Sequence, residues 1–347
     1  MEFLAISDEA LTRAAEILRR GGLAAFPTET VYGLGGDAFN AAALAKIFEA
    51  KGRPRFDPLI VHIASVAALE KIADLSLLDD TARKKLNLLA ERLWPGPLTL
   101  ILPKQKTVPD IATSGLSTVA VRFPDHSAAR KLINLSTGAL AAPSANPFGY
   151  LSPTRAEHVR DQLGSKVDII LDGGPSKLGL ESTVLDICGP LPRILRPGAT
   201  PKEAIEALTG PLAAASSGAA AGGAETGPVS PGLLKSHYAP RTPLSVYSLE
   251  SLLSLPRENT AGGGRTAILF FDGPSRDAWL AGQKGGKPAA FRVLSEKGGA
   301  LEAAARLFET LHELDRSGFS RILAQLAPEA GLGAAINDRL RRAGSGC

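Results

Sequence analysis

The chain has 347 residues, of which 44% are hydrophobic and 21% charged, and its formal net charge is +4. This composition is typical of a soluble globular protein and the length suits two domains, while no apolar run reaches the roughly eighteen residues of a membrane-spanning helix. Cys188 and Cys347 form neither a metal-binding spacing nor a disulfide framework, and the first residues lack a secretory signal, so we expect a cytoplasmic protein without a membrane partner.

The N-terminal part of the chain alternates between two hydrophobic periodicities. Helical spacing predicts helices at Asp8–Arg20, Asn40–Ala50, Asp79–Leu93, Ala128–Leu135 and Arg155–Leu163. Short apolar runs predict strands at Leu23–Phe26, Leu59–Ile63, Leu98–Leu102, Val119–Val121, Ala139–Ala142, Asp168–Leu171 and Ser182–Ile187. Mixed alternation of this kind is typical of an α/β domain built around a mixed sheet.

Composition changes sharply in residues 206–230, which are rich in small residues and low in charge. Such a segment buries too little apolar surface to order itself, so we expect a flexible linker or lid at 206–240 between an N-terminal domain (1–205) and a smaller C-terminal domain (241–347). The smaller domain is predicted to be a parallel α/β unit with strands at Leu244–Tyr247, Ala267–Phe271 and Ala290–Leu294 and helices at Ala300–Asp315 and Gly333–Arg342.

The stretch from Lys51 to His62 combines three cations, an acid and a histidine with two prolines. Proline fixes φ and removes a backbone donor, so the segment is predicted to be a rigid loop that leaves a helix and enters a strand. Lys51 and Arg53 are then fixed cations of the kind that bind a polyphosphate or a carboxylate. A solvated basic loop is the alternative interpretation.

Other polar residues follow predicted strands. Thr30 and Glu29 come after the first strand in a segment that also contains several glycines, and Ser144 and Asn146 come after a later one. Arg122 ends a buried strand, where an arginine either pairs with an internal acid or binds a ligand carboxylate. Small polar groups and cations at strand ends predict a cleft for an anionic ligand and a small polar co-substrate.

The remaining signals are weaker. Ser152 precedes a predicted helix, where it is either an N-cap or part of an anion site, and both can hold. Ser182 opens a strand, and Arg196 supplies one more fixed cation. The five histidines show no metal-binding spacing, and neither a Walker motif nor a Ser-His-Asp arrangement is present, so we expect no built-in transition-metal site and no nucleophile triad.

The combination of motifs resembles a known family. Pro-Thr-Glu-Thr-Val-Tyr-Gly-Leu, Lys51-x-Arg53-Pro, Pro-Leu-Ile-Val-His62, Trp-Pro-Gly-Pro-Leu-Thr, Val-Arg122-Phe-Pro, Pro-Ser144-Ala-Asn146 and Ser182-Thr-Val resemble the YrdC-like threonylcarbamoyl-AMP synthases. The segment ending in His237-Tyr238-Ala-Pro resembles the linker motif of the longer, two-domain form, as does the tail from Gly331. This implies an α/β fold with a YrdC-like twisted mixed sheet followed by a smaller Rossmann-like domain.

The resemblance also implies a reaction. L-threonine, bicarbonate (or CO2) and ATP would give threonylcarbamoyl-AMP and pyrophosphate, with Mg²⁺. The product would pass to a separate transferase complex that modifies an adenosine beside the anticodon of tRNA.

Roles for individual residues follow from the same resemblance. Arg122 would bind the threonine carboxylate, with Thr30, His62 and Ser182 around the amine and side chain. The implied ATP-binding residues are Lys51, Arg53, Asp57, Thr118, the backbone at Ala142, Ser144, Asn146, Ser152 and Arg196, of which Lys51 and Arg53 would also act in catalysis. His237 and Tyr238 would belong to a lid, although Leu233 stands where the family often has methionine, which leaves the lid contacts open.

Two other functions are weighed against this one. A double-stranded RNA or ribosome-binding module would use a basic concave surface, and a weak RNA contact fits the positive net charge. The charge is thinly spread, however, and aromatic stacking platforms are absent from the sequence pattern. A carbamoyl-transfer enzyme using carbamoyl phosphate normally carries acylphosphatase and zinc-finger modules, which this sequence does not contain.

Overall fold

The computed structural model describes residues 1–214, 238–255, 265–282 and 290–344. Contacts divide them into two compact units. The first comprises residues 1–148, 152–177 and 181–214, and the second comprises residues 149–151, residues 178–180 and the described residues from 238 onward. Within the described ranges no helix is long and apolar enough to cross a membrane.

The first unit is built on one mixed sheet. Its strands are β1 (Glu2–Ala5), β2 (Ala24–Phe26), β3 (Gly33–Asp37), β4 (Ile60–Ile63), β5 (Leu98–Pro103), β6 (Thr118–Arg122), β7 (Ala139–Ala141), β8 (Ile169–Asp172), β9 (Thr183–Asp186) and β10 (Arg193–Arg196). Their order in the sheet is β1-β8-β2-β3-β7-β4-β6-β5-β9-β10. The sheet contains parallel pairs, such as β4 with β6, and antiparallel pairs, such as β5 with β6, so the predicted mixed sheet is confirmed.

Helices cover this sheet. They are α1 (Asp8–Arg19), α2 (Ala41–Lys51), α3 (Asp80–Leu93), α4 (Asp110–Thr113), α5 (Ser127–Leu135), α6 (Ala156–Leu163) and α7 (Lys202–Thr209), with short 3-10 helices at Val66–Lys71, Leu75–Leu77 and Gly164–Lys166. Side-chain oxygens of Ser7, Asn40 and Asp79 accept hydrogen bonds from first-turn amides of α1, α2 and α3, which fixes where these helices begin.

Several elements were not predicted, and β3 is the most informative of them. Its sequence, Gly33-Leu-Gly-Gly-Asp37, does not show a strand pattern, because glycine is depleted in strands. The structure pairs β3 with both β2 and β7, and a Cβ atom on Gly35 would lie 2.7 Å from the ring of Phe26. Glycine is therefore required because an aromatic side chain packs directly on this strand.

The first compact unit extends beyond the predicted domain end at residue 205. Helix α7 continues to Thr209 and buries Ile205 completely. The amide of Ala213 then donates to the carbonyl of Pro192, 2.8 Å away, so the chain remains part of the first unit to at least residue 214. The apolar face of α7 outweighs the small-residue composition that suggested a linker from residue 206. Residues 215–237 of the proposed linker lie outside the described residues.

The second unit is a smaller parallel α/β structure, as predicted. Its strands are β11 (Leu244–Tyr247), β12 (Thr266–Asp272), β13 (Ala290–Ser295) and β14 (Arg321–Gln325), and its helices are α8 (Leu249–Leu253), α9 (Gly273–Gly282), α10 (Ala300–Arg316) and α11 (Gly333–Gly344). The order is β11-β14-β12-β13, and every pair is parallel. Sequence analysis missed β14, α8 and α9.

Short segments from earlier in the chain also belong to the second unit. Tyr150 donates its hydroxyl proton to the Asp315 carboxylate, which also accepts from the Thr242 amide at 2.7 Å. The Arg241 guanidinium lies 5.6 Å from the centre of the Tyr150 ring. The second unit therefore includes residues 149–151 and 178–180, which precede the predicted domain boundary in the chain.

Candidate functional site

A row of polar side chains crosses one face of the sheet in the first unit. His62 of β4 pairs with Arg122 of β6, and Arg122 pairs with Thr99 of β5. Thr99 pairs in turn with Val184 of β9, which lies opposite Arg196 of β10. Since directly paired residues project from the same face, this register places a histidine, two arginines and a threonine side by side.

Arg122 lies at the end of β6 and forms a buried ion pair. Its Nη2 is 2.7 Å from Oε1 of Glu29, in the loop after β2, and both side chains are at least 95% buried. Of the two alternatives that the sequence left open for this arginine, the structure shows the pairing with an internal acid.

His62 is buried beside Arg122, and its Nδ1 lies 3.3 Å from the carbonyl oxygen of Ile60. Burial, together with the nearby Arg122 charge, lowers the pKa of His62 to about 3. The imidazole is therefore neutral at physiological pH and adds no charge to the Arg122–Glu29 pair.

Hydroxyl groups of two loops form further contacts. The hydroxyls of Thr30 and Thr28 are 2.8 Å apart, and Thr28 also donates to the carbonyl of Val31, which stabilises the loop after β2. The Ser182 hydroxyl lies 2.7 Å from that of Thr99, a member of the row. These contacts hold the predicted residues Thr30 and Ser182 in fixed positions.

Arg196 binds the same serine from β10. Its Nη2 donates to the Ser182 carbonyl at 2.9 Å and to the Ser182 hydroxyl at 3.2 Å. The structure thus brings Arg196 and Ser182 into direct contact, and Ser182 is within reach of both the arginine and Thr99.

Lys51 ends α2 and points into the loop after β7. Its Nζ donates to the carbonyl of Ser144 at 2.6 Å and to that of Asn146 at 2.5 Å. The side chain is buried, and burial, reinforced by the neighbouring Arg53 charge, lowers the pKa of Lys51 well below its usual value. The ammonium group therefore depends on these carbonyl acceptors and on any anion that approaches it.

Arg53 is held within its own loop. Its Nη2 lies 2.9 Å from Oδ2 of Asp57, and the guanidinium also donates to the carbonyls of Asp57 and Pro58. Both partners of this ion pair are buried, so the prediction of a rigid loop with fixed cations is supported, and the solvated-loop alternative is wrong for Lys51 and Arg53. Arg55, which lies between Arg53 and Asp57 in the sequence, is exposed.

The other predicted ATP-binding residues occupy three places. Ser152 is buried and donates to the carboxylate of Glu181. The amide of Ala142 donates to the Ile60 carbonyl at 2.9 Å, so that backbone donor already serves the sheet. Thr118 begins β6, four residues from Arg122, and is separated from it by about 13 Å along an extended strand.

The two predicted lid residues are not both described. His237 lies outside the described residues. Tyr238 belongs to the second unit, where it is 1% exposed, with its ring centre 5.7 Å from that of Phe308 and with the Arg339 guanidinium 4.9 Å above it. In this structure Tyr238 is a packing residue, and its role in a lid stays a prediction.

Three polar residues in the site were not among the predicted site residues. Glu29 pairs with Arg122, Thr99 contacts Ser182, and Glu181 accepts from Ser152. Glu29 has a signal in the sequence, because it is an acid next to Thr30 at the end of a predicted strand. Thr99 and Glu181 become apparent only through strand register and loop packing.

Two family models match the chain. One, described as Telomere recombination (Sua5, YciO and YrdC proteins), matches residues 16–198. The other, described as Threonylcarbamoyl-AMP synthase, C-terminal domain, matches residues 200–345. Between them they span both compact units.

Curated relatives cover almost the whole chain. The threonylcarbamoyl-AMP synthase of Bacillus subtilis (strain 168) is 42% identical over 348 residues, which cover 99% of this chain and 95% of that protein. That of Schizosaccharomyces pombe is 35% identical and covers 97% of this chain and 88% of its own. Among solved structures, Pyrococcus abyssi Sua5 complexed with L-threonine has a TM-score of 0.86 at 37% identity, covering 99% of this chain and 98% of that one.

Proposed function

The chain belongs to the threonylcarbamoyl-AMP synthase family, and on that premise we propose how its own residues bind the substrates. The chain is a nucleotidyltransferase that makes threonylcarbamoyl-AMP for tRNA modification. The residue roles, the metal and the partners proposed below are those that the family resemblance implies, and the geometry of the first unit supports the residue roles. The row of His62, Arg122, Thr99 and Arg196 is the observation that supports the threonine site, and the buried cations Lys51 and Arg53 support the nucleotide site.

L-threonine binds at the Arg122 end of the row. The planar guanidinium is suited to a carboxylate, which it can bind through two parallel hydrogen bonds. Neutral His62 and the hydroxyls of Thr30 and Ser182 then offer partners for the amine and the side-chain hydroxyl. The L-threonine in the Pyrococcus abyssi Sua5 structure supports an amino-acid site in this fold.

ATP binds beside the loop that contains Lys51 and Arg53. Both cations are buried and fixed, so they lose little freedom when a triphosphate approaches. Ser144 and Asn146, whose carbonyls receive the Lys51 ammonium, and Arg196 and Ser152 complete the proposed nucleotide site. Asp57, Thr118 and the backbone at Ala142 are further ATP-binding residues that the family resemblance implies.

The chemistry requires two steps in one cleft. The threonine amine, after losing a proton, attacks CO2 and becomes a carbamate with loss of a second proton. A carbamate oxygen then attacks the α-phosphorus of ATP, and the bond to the β-phosphate oxygen breaks to release pyrophosphate. Negative charge grows on phosphate oxygens in that step, so fixed cations such as Lys51 and Arg53 lower its barrier.

The site offers magnesium one carboxylate rather than a complete set of protein ligands. Within the described part of the chain, no group of three or more His, Cys, Asp or Glu side chains lies together as a metal cage. Magnesium in such sites is held mainly by substrate phosphates and water with one or two carboxylates, and the buried Asp57 is the acid in the cationic loop. When bound, Mg²⁺ would neutralise charge on the triphosphate.

The product is a mixed anhydride that water hydrolyses readily, so we propose direct transfer to a tRNA-modifying transferase complex. Any contact of this chain with RNA is weak, because its net charge of +4 is small for a chain of this length.

Pyrophosphate release tests the proposed function. It should require ATP, L-threonine and bicarbonate together in the wild type, and Arg53→Ala should abolish it. Arg55→Ala is the matched control, because Arg55 is an exposed cation in the same loop and should leave the rate unchanged. Release without threonine dependence, or salt-dependent RNA binding without turnover, would favour a nucleotide- or RNA-binding protein instead.

A further inference from the structure

Glu29 has no role in the proposed substrate contacts, yet it is among the most deeply buried acids of the first unit. It is 5% exposed and Arg122 is 4% exposed, and their charged atoms approach to 2.7 Å. A buried carboxylate placed this close to the proposed carboxylate-binding arginine needs an explanation beyond stability, because buried ion pairs contribute little net stability.

The geometry of the pair leaves hydrogen-bonding capacity unused. Within the described residues, neither carboxylate oxygen of Glu29 has a hydrogen-bond partner, and the same holds for Nε and Nη2 of Arg122. The two side chains are close, but their N–H and lone-pair directions do not align. Buried polar groups are nearly always hydrogen-bonded, so both groups are arranged to meet a ligand as well as each other.

The charges around Glu29 favour a cation. Arg122 is its ion-pair partner, His62 beside Arg122 is neutral, and His126 is close enough to interact with the Glu29 charge. Burial lowers the pKa of His126, although the Glu29 charge opposes the shift, so this imidazole is also largely neutral at physiological pH. Once a ligand carboxylate occupies Arg122, Glu29 becomes a buried anion in need of a positive partner.

An α-amino acid is the complement of such a pair. Its ammonium nitrogen and carboxylate carbon are held about 2.5 Å apart by two covalent bonds. Arg122 and Glu29 present opposite charges 2.7 Å apart. A bound amino acid can therefore place its carboxylate on the arginine and its ammonium group on the glutamate, so that one internal ion pair becomes two ion pairs to the ligand.

We propose that Glu29 is the residue that binds the α-ammonium group of the amino-acid substrate, and that it thereby selects α-amino acids over hydroxy acids of the same shape. This rests on the proposed threonine site at Arg122. Before the substrate binds, Glu29 also holds the guanidinium of Arg122 in the cleft.

The wild-type enzyme gives the first test, which does not depend on the folding of any variant. (R)-β-hydroxybutyrate has the carboxylate, hydroxyl and methyl group of L-threonine but no amine, so it can bind without reacting. Its inhibition constant should be about 10- to 100-fold higher than the dissociation constant of L-threonine, the usual range for a lost charge-assisted hydrogen bond. Equal affinities would overturn the proposal.

Glu29→Gln separates an ammonium-binding role from a structural one. L-threonine should bind about 10- to 100-fold more weakly, whereas (R)-β-hydroxybutyrate should bind as before or more tightly, because the arginine has lost its competing carboxylate. Glu29→Asp, which keeps the charge, should recover part of the threonine affinity. Equal weakening of both ligands would show that Glu29 only supports the fold, and would also overturn the proposal.

Arg122→Gln distinguishes this inference from the proposed function. It should weaken both ligands together, because both have a carboxylate. If Arg122→Gln has no effect on either ligand, the proposed threonine site itself is wrong. If it weakens both while Glu29→Gln leaves the ratio of affinities unchanged, the threonine site stands and the role of Glu29 is wrong.

Discussion

At the level of single residues, the first unit is distinguished by four buried cationic side chains. Lys51, Arg53, Arg122 and Arg196 are all less than 9% exposed, and each contacts a backbone carbonyl or a carboxylate in the described structure. Long cationic side chains are seldom buried in this way unless they are paired. Their fixed positions suit a site in which negative charge must be stabilised without waiting for side chains to reorganise.

Lys51 can be tested against a lysine in the same helix. Lys46 also donates to a carbonyl, that of Gly21, at 2.7 Å, but it lies away from the cationic loop. We expect Lys51→Met to raise the KM for ATP by about 10- to 100-fold, the cost of a lost charge-assisted interaction, and Lys46→Met to leave it unchanged. Steady-state kinetics with varied ATP measures both. Equal effects would mean that the Lys51 contact is structural.

His62 predicts a pH dependence of stability. Its pKa is about 3 in the folded protein and near 6.5 when unfolded, so between these values the unfolded state binds more protons. The contribution of His62 to the free energy of unfolding is therefore fully present above pH 6.5. It falls by about 2 kcal/mol between pH 7.5 and pH 5.

Urea unfolding at those two pH values checks this, with His62→Gln as the comparison. The wild type should lose about 2 kcal/mol more than the variant on acidification. Parallel losses in the two proteins would show that His62 is not the group responsible.

At the level of elements, the site depends on close crossing of chain segments. A Cβ atom on Gly198 would lie 2.4 Å from the backbone of Ser182 and Thr183 and 2.5 Å from the Glu181 carbonyl. The segment after β10 therefore passes directly over the start of β9. This crossing sets the distance between Arg196 and Ser182.

Gly198→Ala should consequently separate these segments and lower turnover. We expect the variant to be destabilised by about 1–3 kcal/mol, as for other overpacked sites, and the KM values for L-threonine and ATP to rise. Gly189→Ala is the control, since its nearest atom would be 3.8 Å away and its φ is not positive. Urea unfolding and steady-state kinetics of the two variants measure the difference, and similar behaviour would contradict the crossing argument.

At the level of the whole molecule, the second unit includes residues from three parts of the chain. Tyr238 is its first described residue after the gap, and it adopts a φ of 65°, a left-handed conformation that is strained for tyrosine. Its ring is nevertheless buried against Phe308 and Arg339. Packing of the aromatic ring therefore outweighs the backbone strain.

Tyr238→Ala should destabilise the second unit by about 3–5 kcal/mol, because it removes a buried aromatic ring, and Tyr238→Phe should be much milder. Thermal unfolding followed by circular dichroism measures the change. If Tyr238 also serves a lid, Tyr238→Ala will slow threonine-dependent turnover more than it weakens ATP binding. Unchanged stability in Tyr238→Ala would contradict the packing role, and equal losses of turnover and ATP binding would contradict the lid.

Periodicity identified most of the long elements, because their hydrophobic patterns are local. Helices α1, α2 and α3 begin and end within one or two residues of their predicted bounds, since Ser7, Asn40 and Asp79 are capping residues that the sequence shows directly. Local patterns failed for β3, a glycine-rich strand, and for α7, a helix in a segment that begins to resemble a linker. Both are stabilised by distant partners.

The sequence by itself determined the family, the fold class and the candidate cations Lys51, Arg53, Arg122 and Arg196, because these depend on residue types at fixed local spacings. Only the tertiary structure decided which of them meet. Strand register joins His62 to Arg122, and loop packing brings Glu29 to the same arginine. The close approach of two chain segments at Gly198 brings Ser182 to Arg196. These residues are 14 to 93 positions apart, and no local pattern encodes the distance between side chains that the folded sheet brings together.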